Sequence, residues 1–214
     1  MKKLLIVAVA TFIGSAAFAQ TSGSSKHYGL KAGVNLPKYS FGKDNAANGE
    51  TNTTVNFHVT GYMDAPIGGM FSIQPAISLQ GKGGEYFDNG TTQVKQNTMW
   101  IEVPVNLVAK FPMSGGSHFF LGAGPYGAAA IAGQNKTTTG SSSAQSDLKF
   151  GNDSGDDLKG MDFGVNFLGG VQLNSGFNIG AGYGLGLTDL RPSGSGGTGQ
   201  QSNRVWSFSV GMAF

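Results

Sequence analysis

The chain has 214 residues and no cysteine, and only 12% of its residues are charged, but it contains 36 glycines and 15 phenylalanines. The lack of cysteine excludes disulfides and a thiol-linked lipid anchor. The 14 basic residues barely exceed the 12 acidic residues, so no basic surface is expected for a nucleic-acid partner. No apolar run after the first residues approaches the ~18 residues of a membrane-spanning helix, which excludes a helical membrane protein.

The first 19 residues have the composition of a secretory signal peptide. Lys2 and Lys3 supply a basic start, an apolar run covers residues 4–13, and Ala17-Phe18-Ala19 fits a cleavage site. We therefore expect residues 1–19 to be removed and residues 20–214 to form one domain. Cleavage would leave 12 basic and 12 acidic residues, because two of the 14 basic residues lie in the signal. The mature chain is then neutral.

Eight segments of alternating apolar and polar residues follow, and each is predicted to be a β-strand. They cover residues 28–36, 54–65, 70–82, 97–111, 118–131, 160–174, 177–188 and 204–214. The connections alternate in length: 37–53, 83–96, 132–159 and 189–203 are long and polar, whereas 66–69, 112–117 and 175–176 are turns. This alternation is typical of an up-and-down transmembrane β-barrel with short periplasmic turns and long extracellular loops. An even strand number places both termini in the periplasm, and the sequence leaves open whether 132–159 adds a hairpin above the membrane.

The last segment has two different faces. Its alternate residues are apolar on one side and small on the other: Trp206, Phe208, Val210, Met212 and Phe214 against Ser207, Ser209, Gly211 and Ala213. Because alternate side chains of a strand point to opposite sides, one face suits lipid and the other a tightly packed lumen. We interpret the five apolar residues as the signal read by the barrel-insertion machinery, and we expect this strand to pair with the first one.

Aromatic residues mark one end of the predicted barrel. On the apolar face near the short turns lie Tyr28, Phe71, Phe111, Phe119, Phe177 and Phe214. A soluble β-sandwich also alternates, but only a membrane interface favours aromatic rings at one height. The sequence therefore predicts an all-β fold, an eight-stranded antiparallel up-and-down barrel in the outer membrane of a Gram-negative bacterium, surrounded by outer-membrane lipid. Trp206 fits an outer aromatic belt, whereas Trp100 faces inward and is expected to close the mouth.

Six charged residues are predicted to face the lumen. Lys31, Asp64 and Lys110 are expected near the periplasmic end, and Lys82, Glu102 and Asp162 near the outer end. An eight-stranded barrel is just wide enough for side chains to fill, and buried charges persist only when they are paired. We therefore expect two structural ionic clusters that plug the lumen, with Lys82 and Glu102 on adjacent strands as the favoured pair.

No motif indicates catalysis or a cofactor. The glycines of residues 180–186 alternate along a strand, whereas a phosphate-binding loop leads into a helix. The acidic residues within 153–157 could ligate calcium, but their spacing departs from that of a calcium-binding loop. His27 and His118 are expected at the periplasmic end, so only His58 could join this acidic group at the outer rim. We expect no enzyme, no cofactor and no metal.

Several strand motifs resemble those of one known family. They are Tyr28-Gly-Leu-Lys-Ala-Gly-Val-Asn-Leu36, Phe71-Ser-Ile-Gln-Pro75, Ile101-Glu-Val-Pro-Val105, Gly122-Ala-Gly-Pro-Tyr126, Gly182-Tyr-Gly-Leu-Gly-Leu-Thr188 and the Phe214 ending. Their order and spacing resemble the PorT-like outer-membrane barrels of the Bacteroidetes over nearly all of the mature chain. Ala76 stands where members commonly have an acidic residue. The resemblance implies an eight-stranded barrel, and PorT itself is linked to protein secretion and gliding.

Three functions are compatible with the sequence. A structural or adaptor barrel, which binds an envelope protein through its extracellular loops and is linked to secretion or envelope integrity, needs no active site and is favoured. A narrow, porin-like passive channel would need a water-filled path that a charge-paired lumen opposes. An enzyme of the outer rim is disfavoured by the positions of the histidines.

Overall fold

The computed structural model describes residues 27–42, 49–193 and 200–214, and the predicted signal peptide, residues 1–19, lies outside them. Within these residues nine strands form one sheet. They are β1 (His27–Phe41), β2 (Asn56–Gly68), β3 (Phe71–Asp88), β4 (Thr92–Pro112), β5 (His118–Thr139), β6 (Ser142–Asp147), β7 (Met161–Gln172), β8 (Phe177–Gly186) and β9 (Gln201–Ala213). One short 3-10 helix spans Ser114–Gly116. In the described ranges no helix is long and apolar enough to cross a membrane.

Eight of the nine strands close into a ring. Consecutive strands pair around it, except that β5 pairs with β7, and β1 pairs with both β2 and β9. At the closing seam the Tyr28 N–H donates to the Phe214 carbonyl at 3.0 Å, and the Phe214 N–H donates to the Tyr28 carbonyl at 2.8 Å. The strand pairings are antiparallel, so the predicted eight-stranded up-and-down fold is confirmed, as is the pairing of the last strand with the first.

The two ends of the barrel have different connections. At one end the strands are joined by short turns over residues 69–70, 113–117 and 173–176. Each of these turns contains a glycine with positive φ, such as Gly176 at 87°, a conformation that other residues adopt at a cost. The opposite end carries the connections that follow β1, β3, β5 and β8, and the third of them contains β6.

Two of the predicted long loops contain long stretches of strand, so their predicted boundaries are wrong. β3 and β4 continue until only residues 89–91 separate them, and β5 extends to Thr139 and pairs with β6. The prediction failed because these polar stretches lack the apolar alternation that lipid imposes, although their backbones still pair. The dipeptide Asn89-Gly90 is a hairpin signal that could have located the turn between β3 and β4. Gly90 has a φ of 81° in this turn.

The two faces of the barrel differ as the alternation predicts. In β4, Glu102 and Asn106 are buried, whereas Val103, Val105 and Leu107 between and beyond them are exposed. In β9 the exposed side chains are Trp206, Phe208, Val210 and Met212. A contiguous apolar exterior of this kind is rare on a protein surrounded by water and suits a bilayer.

Candidate functional site

Three charged residues meet inside the barrel, in the half next to the long connections. Lys82 comes from β3, Glu102 from β4 and Asp162 from β7. The Nζ of Lys82 lies 2.9 Å from a carboxylate oxygen of Glu102 and 3.0 Å from Oδ2 of Asp162, and all three side chains are at most 3% exposed. We call this group the outer cluster. One cation there bridges two carboxylates away from bulk water.

Polar and aromatic neighbours complete the outer cluster. Asn203 Nδ2 donates a hydrogen bond to Asp162 Oδ2 at 2.8 Å, and the Tyr126 hydroxyl donates to the same oxygen at 3.1 Å. The Nζ of Lys82 also lies 4.4 Å from the centroid of the Tyr126 ring, within the range of a cation–π interaction. These contacts offset part of the cost of burying the charges.

Three partners of the outer cluster were not among the predicted site residues. They are Asn203, Tyr126 and Asn166, whose Nδ2 donates to Glu102 Oε1 at 2.9 Å. Tyr126 and Asn166 lie at inward-facing positions of predicted strands, so parity could have placed them in the lumen, whereas Asn203 lies in the predicted loop 189–203. Parity alone does not reveal which inward residues meet across the barrel.

A second ion pair lies toward the short turns, and it corrects one prediction. Lys110 pairs with Asp64, and Gln74 Nε2 donates to Asp64 Oδ1 at 3.3 Å. Lys31, predicted to join this cluster, makes no ion pair with any described residue; its Nζ lies 6.0 Å from the ring centroid of Tyr62. The reason is register, since Asp64 is level with the first residue of β1 and Lys31 lies four residues, about 13 Å, further along that strand.

Two small cavities in the lumen are lined by both polar and apolar groups. The larger has a volume of about 80 Å³ and is lined by residues including Glu102, Asn166 and Gly182. The smaller has a volume of about 30 Å³ and lies beside Lys110 and His118. Lys31 borders both. Cavities of this size hold a few water molecules.

Apolar side chains cover the outer end of the lumen, and we call them the outer cap. They are Tyr39, Trp100, Tyr126, Ala128, Leu148, Leu158 and Leu190, and all are buried. The connection after β6 supplies Leu148 and Leu158, and the connection after β8 supplies Leu190, so both fold over the mouth. Trp100 lies in the cap, as its inward position predicted, and its indole N–H donates to Thr98 Oγ1 at 2.8 Å.

Hydrogen bonds hold the loop that supplies Leu190. The Asp189 carboxylate accepts from the Gln201 backbone N–H at 2.9 Å and pairs with Arg191 at 3.1 Å. Burial would raise the pKa of Asp189, but these hydrogen bonds outweigh burial and hold the pKa below its ordinary value. The Leu190 N–H donates to the Gln201 carbonyl at 2.8 Å, and the Leu190 carbonyl accepts from the Lys159 N–H at 2.7 Å. The two loops of the cap are therefore tied together.

The outer surface carries aromatic rings at both ends of its apolar band. At the short-turn end lie the predicted belt residues Tyr28, Phe71, Phe111, Phe119, Phe177 and Phe214, and the five phenylalanines are exposed. Phe111 and Phe119 are direct strand partners with ring centroids 6.1 Å apart. Toward the long connections, exposed Trp206 lies 4.8 Å from the ring of Tyr183. The apolar exterior is thus bounded by aromatic side chains on both sides.

A protein family described as the outer membrane protein beta-barrel domain matches residues 18–191. The chain belongs to this family. Membership agrees with the closed ring and the exposed apolar exterior, and it identifies the chain as an outer-membrane β-barrel protein. A comparison with proteins of curated function finds no match.

Three solved structures are similar to this outer-membrane barrel. Ail, the attachment invasion locus protein of Yersinia pestis, is 11% identical with a TM-score of 0.45, over 89% of this chain and 99% of Ail. Neisserial surface protein A is 14% identical with a TM-score of 0.46, over 90% and 98% of the two chains. OprG from Pseudomonas aeruginosa is 11% identical with a TM-score of 0.49, over 90% and 98%. At these identities the likeness concerns the fold alone.

The histidine and the acidic loop of this barrel that could have formed an outer-rim site have other partners. His58 Nδ1 lies 2.8 Å from Asn35 Oδ1 inside the lumen. Asp156 accepts from the Asp153 backbone N–H at 2.9 Å, and Asp157 accepts from the Lys149 N–H at 2.8 Å. In the described part of the chain no group of three His, Cys, Asp or Glu side chains could hold a metal ion.

Proposed function

We propose that this protein is a structural or adaptor barrel whose lumen is closed and whose extracellular loops bind an envelope protein. The outer cap carries the proposal, because buried side chains such as Trp100, Leu158 and Leu190 cover the mouth. Beneath the cap the outer cluster leaves no wide path, since its side chains are at most 3% exposed. A sealed barrel can act through its loops without transporting a solute.

The wall that rises beyond the cap supports the adaptor role. It consists of the outer parts of β3, β4 and β5 together with β6, whose six residues are all exposed. Among the described strands β6 pairs with β5 alone, so its other edge offers unpaired backbone groups. Its sequence, Ser142 to Asp147, contains no proline or lysine, the residues that commonly block an edge strand. An extended segment of a partner can add to such an edge.

The remaining predictions about biogenesis belong to the same proposal. Residues 1–19 act as a cleaved signal, both termini lie in the periplasm, and the exposed face of β9 serves as the insertion signal. The aromatic belt at the short-turn end settles at the inner headgroup level. The strand motifs support placement among PorT-like barrels of the Bacteroidetes, with a link to secretion or envelope integrity.

A narrow passive channel is the second candidate. Two observations favour it: the cavities of about 80 and 30 Å³ both lie within the lumen, and Lys31 borders both. Conduction would require the outer cap to move and the outer cluster to separate. The contacts between Lys82 and its two carboxylates oppose that separation.

Planar-bilayer recording separates the two functions. We expect the unmodified protein to show no steady single-channel steps, because cap and cluster close the lumen. The double variant Leu158→Ser, Leu190→Ser removes apolar contacts from the cap and should show brief openings. Leu187→Ser is the matched control, because Leu187 is exposed on the same loop, and it should stay silent. Steady steps from the unmodified protein would contradict the adaptor proposal and support the channel.

A further inference from the structure

Two cations lie next to the outer aromatic pair on the lipid-facing side of the barrel. Lys38 of β1 and Arg204 of β9 are direct register partners, and the next outward-facing partners toward the short turns are Leu36 and Trp206. Trp206 and Tyr183 pack together there, and amphipathic rings of this kind settle at the headgroup level. The cations lie two residues, about 7 Å, beyond that level.

The Arg204 guanidinium is fixed by three contacts on one nitrogen. The two N–H groups of Nη1 are shared among the Gly186 carbonyl at 2.7 Å, Ser202 Oγ at 2.9 Å and the Asn203 carbonyl at 2.8 Å. Nε and Nη2 of Arg204 have no hydrogen-bond partner among the described residues. These two N–H groups form the planar fork that binds two oxygens of one phosphate. The side chain is thus oriented, and its recognition edge is free.

Lys38 can exchange its present partner for a ligand. Lys38 pairs with Glu50, whose side chain is 48% exposed. Exposed ion pairs of this type contribute at most about 1 kcal/mol, so a phosphate can take the place of the Glu50 carboxylate. Lys38 would then contribute a point charge beside the fork of Arg204.

We propose that Lys38 and Arg204 bind a phosphate monoester on the headgroup of an outer-leaflet lipid, whose acyl chains lie against Leu36, Trp206 and Phe208. This inference rests on the proposed orientation of the barrel, with its long connections outside the cell. Lys38 and Arg204 lie on neighbouring strands, so both can reach one phosphate once Lys38 leaves Glu50. Two positive charges match the double negative charge of a monoester better than the single charge of a phosphodiester. The exposed side chains of Trp206 and Phe208 and the half-buried Leu36, directly below the cations, account for the acyl chains of the same ligand.

Titration of the refolded full-length mature chain in detergent micelles tests the inference. The probes are diphosphoryl lipid A, enzymatically dephosphorylated lipid A and inorganic phosphate. The chain has two tryptophans, so Trp206 emission reports binding and Trp206→Phe serves as the spectral control. We expect diphosphoryl lipid A to bind most tightly.

Arg204→Gln and Lys38→Gln should each weaken its binding about tenfold, because each removes a charge-assisted contact. The affinity of Arg204→Lys for diphosphoryl lipid A should lie between those of the unmodified protein and Arg204→Gln, since lysine keeps the charge but lacks the planar fork.

Lys136→Gln is the matched control, because Lys136 lies on β5, away from the β1–β9 seam, and it should leave the affinity unchanged. Equal binding of dephosphorylated lipid A, or an equal loss from Lys136→Gln, would overturn the inference. Inorganic phosphate that bound as tightly as lipid A would indicate a site for free anions instead and would also overturn it. If Arg204→Gln fails to refold, Lys38→Gln and Arg204→Lys decide the outcome. Single-channel recording is independent of these titrations, so a conducting barrel that binds lipid A would refute the adaptor proposal alone.

Discussion

Replacing Lys82 with Met should lower the free energy of unfolding by about 3–5 kcal/mol, because it would leave two buried carboxylates without their cation. Glu102 and Asp162 both contact Lys82 within 3.0 Å and are at most 3% exposed. Methionine fills much of the volume of the lysine stem, so the lost charge rather than a cavity sets the cost. Urea unfolding of the folded barrel in detergent, followed by tryptophan emission, measures the change. Glu102→Ala should also lower the unfolding midpoint, and an unchanged midpoint would refute its pairing with Lys82.

Two further variants show whether burial causes the effect. Lys95 pairs with Glu85 at 3.3 Å, but its side chain is 35% exposed, so Lys95→Met should cost at most about 1 kcal/mol. The triple variant Lys82→Met, Glu102→Leu, Asp162→Leu removes all three charges together and should recover most of the loss. A cost for Lys82→Met no larger than that of Lys95→Met would show that the outer cluster does not stabilise the barrel.

The strands and their two faces could be predicted from the sequence because lipid imposes a strict rule. An outward position such as Val103 must be apolar, and its neighbour Glu102 can then be charged only if it faces a lumen. The rule loses force beyond the bilayer, where both faces of a strand contact water. The sequence therefore predicts loops for the outer parts of β3, β4 and β5, although the antiparallel pairing of these strands continues there.

Contacts across the lumen were predictable only in part. Lys82 and Glu102 lie on adjacent strands. Counting residues from the connection between these strands therefore indicates that the two side chains lie at similar levels of the barrel. Lys82 and Asp162 lie on strands that are not neighbours, and the stagger of the whole ring decides whether their levels match. Lys31 and Asp64 lie on the neighbouring strands β1 and β2, but the connection between these strands is long. The sequence therefore does not reveal that Lys31 is level with Thr60 rather than with Asp64.

The cap depends on contacts that alternation cannot encode. Leu148, Leu158 and Leu190 lie in polar connections, where a single leucine gives no periodic signal. They are buried because the Lys159–Leu190 hydrogen bond and the strand extensions bring two distant loops over one mouth. The proposed seal and the protruding wall both depend on the outer hairpin of β5 and β6, which precedes Leu148 and presents the edge proposed for a partner.

Val210→Arg should lower the free energy of unfolding in a lipid bilayer by about 2–4 kcal/mol, because a charge at the bilayer midplane is costly. Val210 is 53% exposed on the outward face of β9, midway between Trp206 and Phe214. Eight residues of strand span about 27 Å, and a tilt of 35–45° shortens this to about 20 Å of membrane height. Val210 therefore lies near the middle of the apolar band. Urea unfolding in phosphatidylcholine vesicles measures the cost.

Leu36→Arg is the matched control, because Leu36 pairs with Trp206 at the outer edge of the band. An arginine near the interface costs about 0–1 kcal/mol, since its side chain can reach the headgroups. The difference between the two variants should shrink in detergent micelles, which deform around a charge more readily than a bilayer does. If both variants cost the same in vesicles, the aromatic rings around Trp206 and Phe214 do not bound a membrane-spanning band, and the proposed headgroup level beside Lys38 and Arg204 is wrong as well.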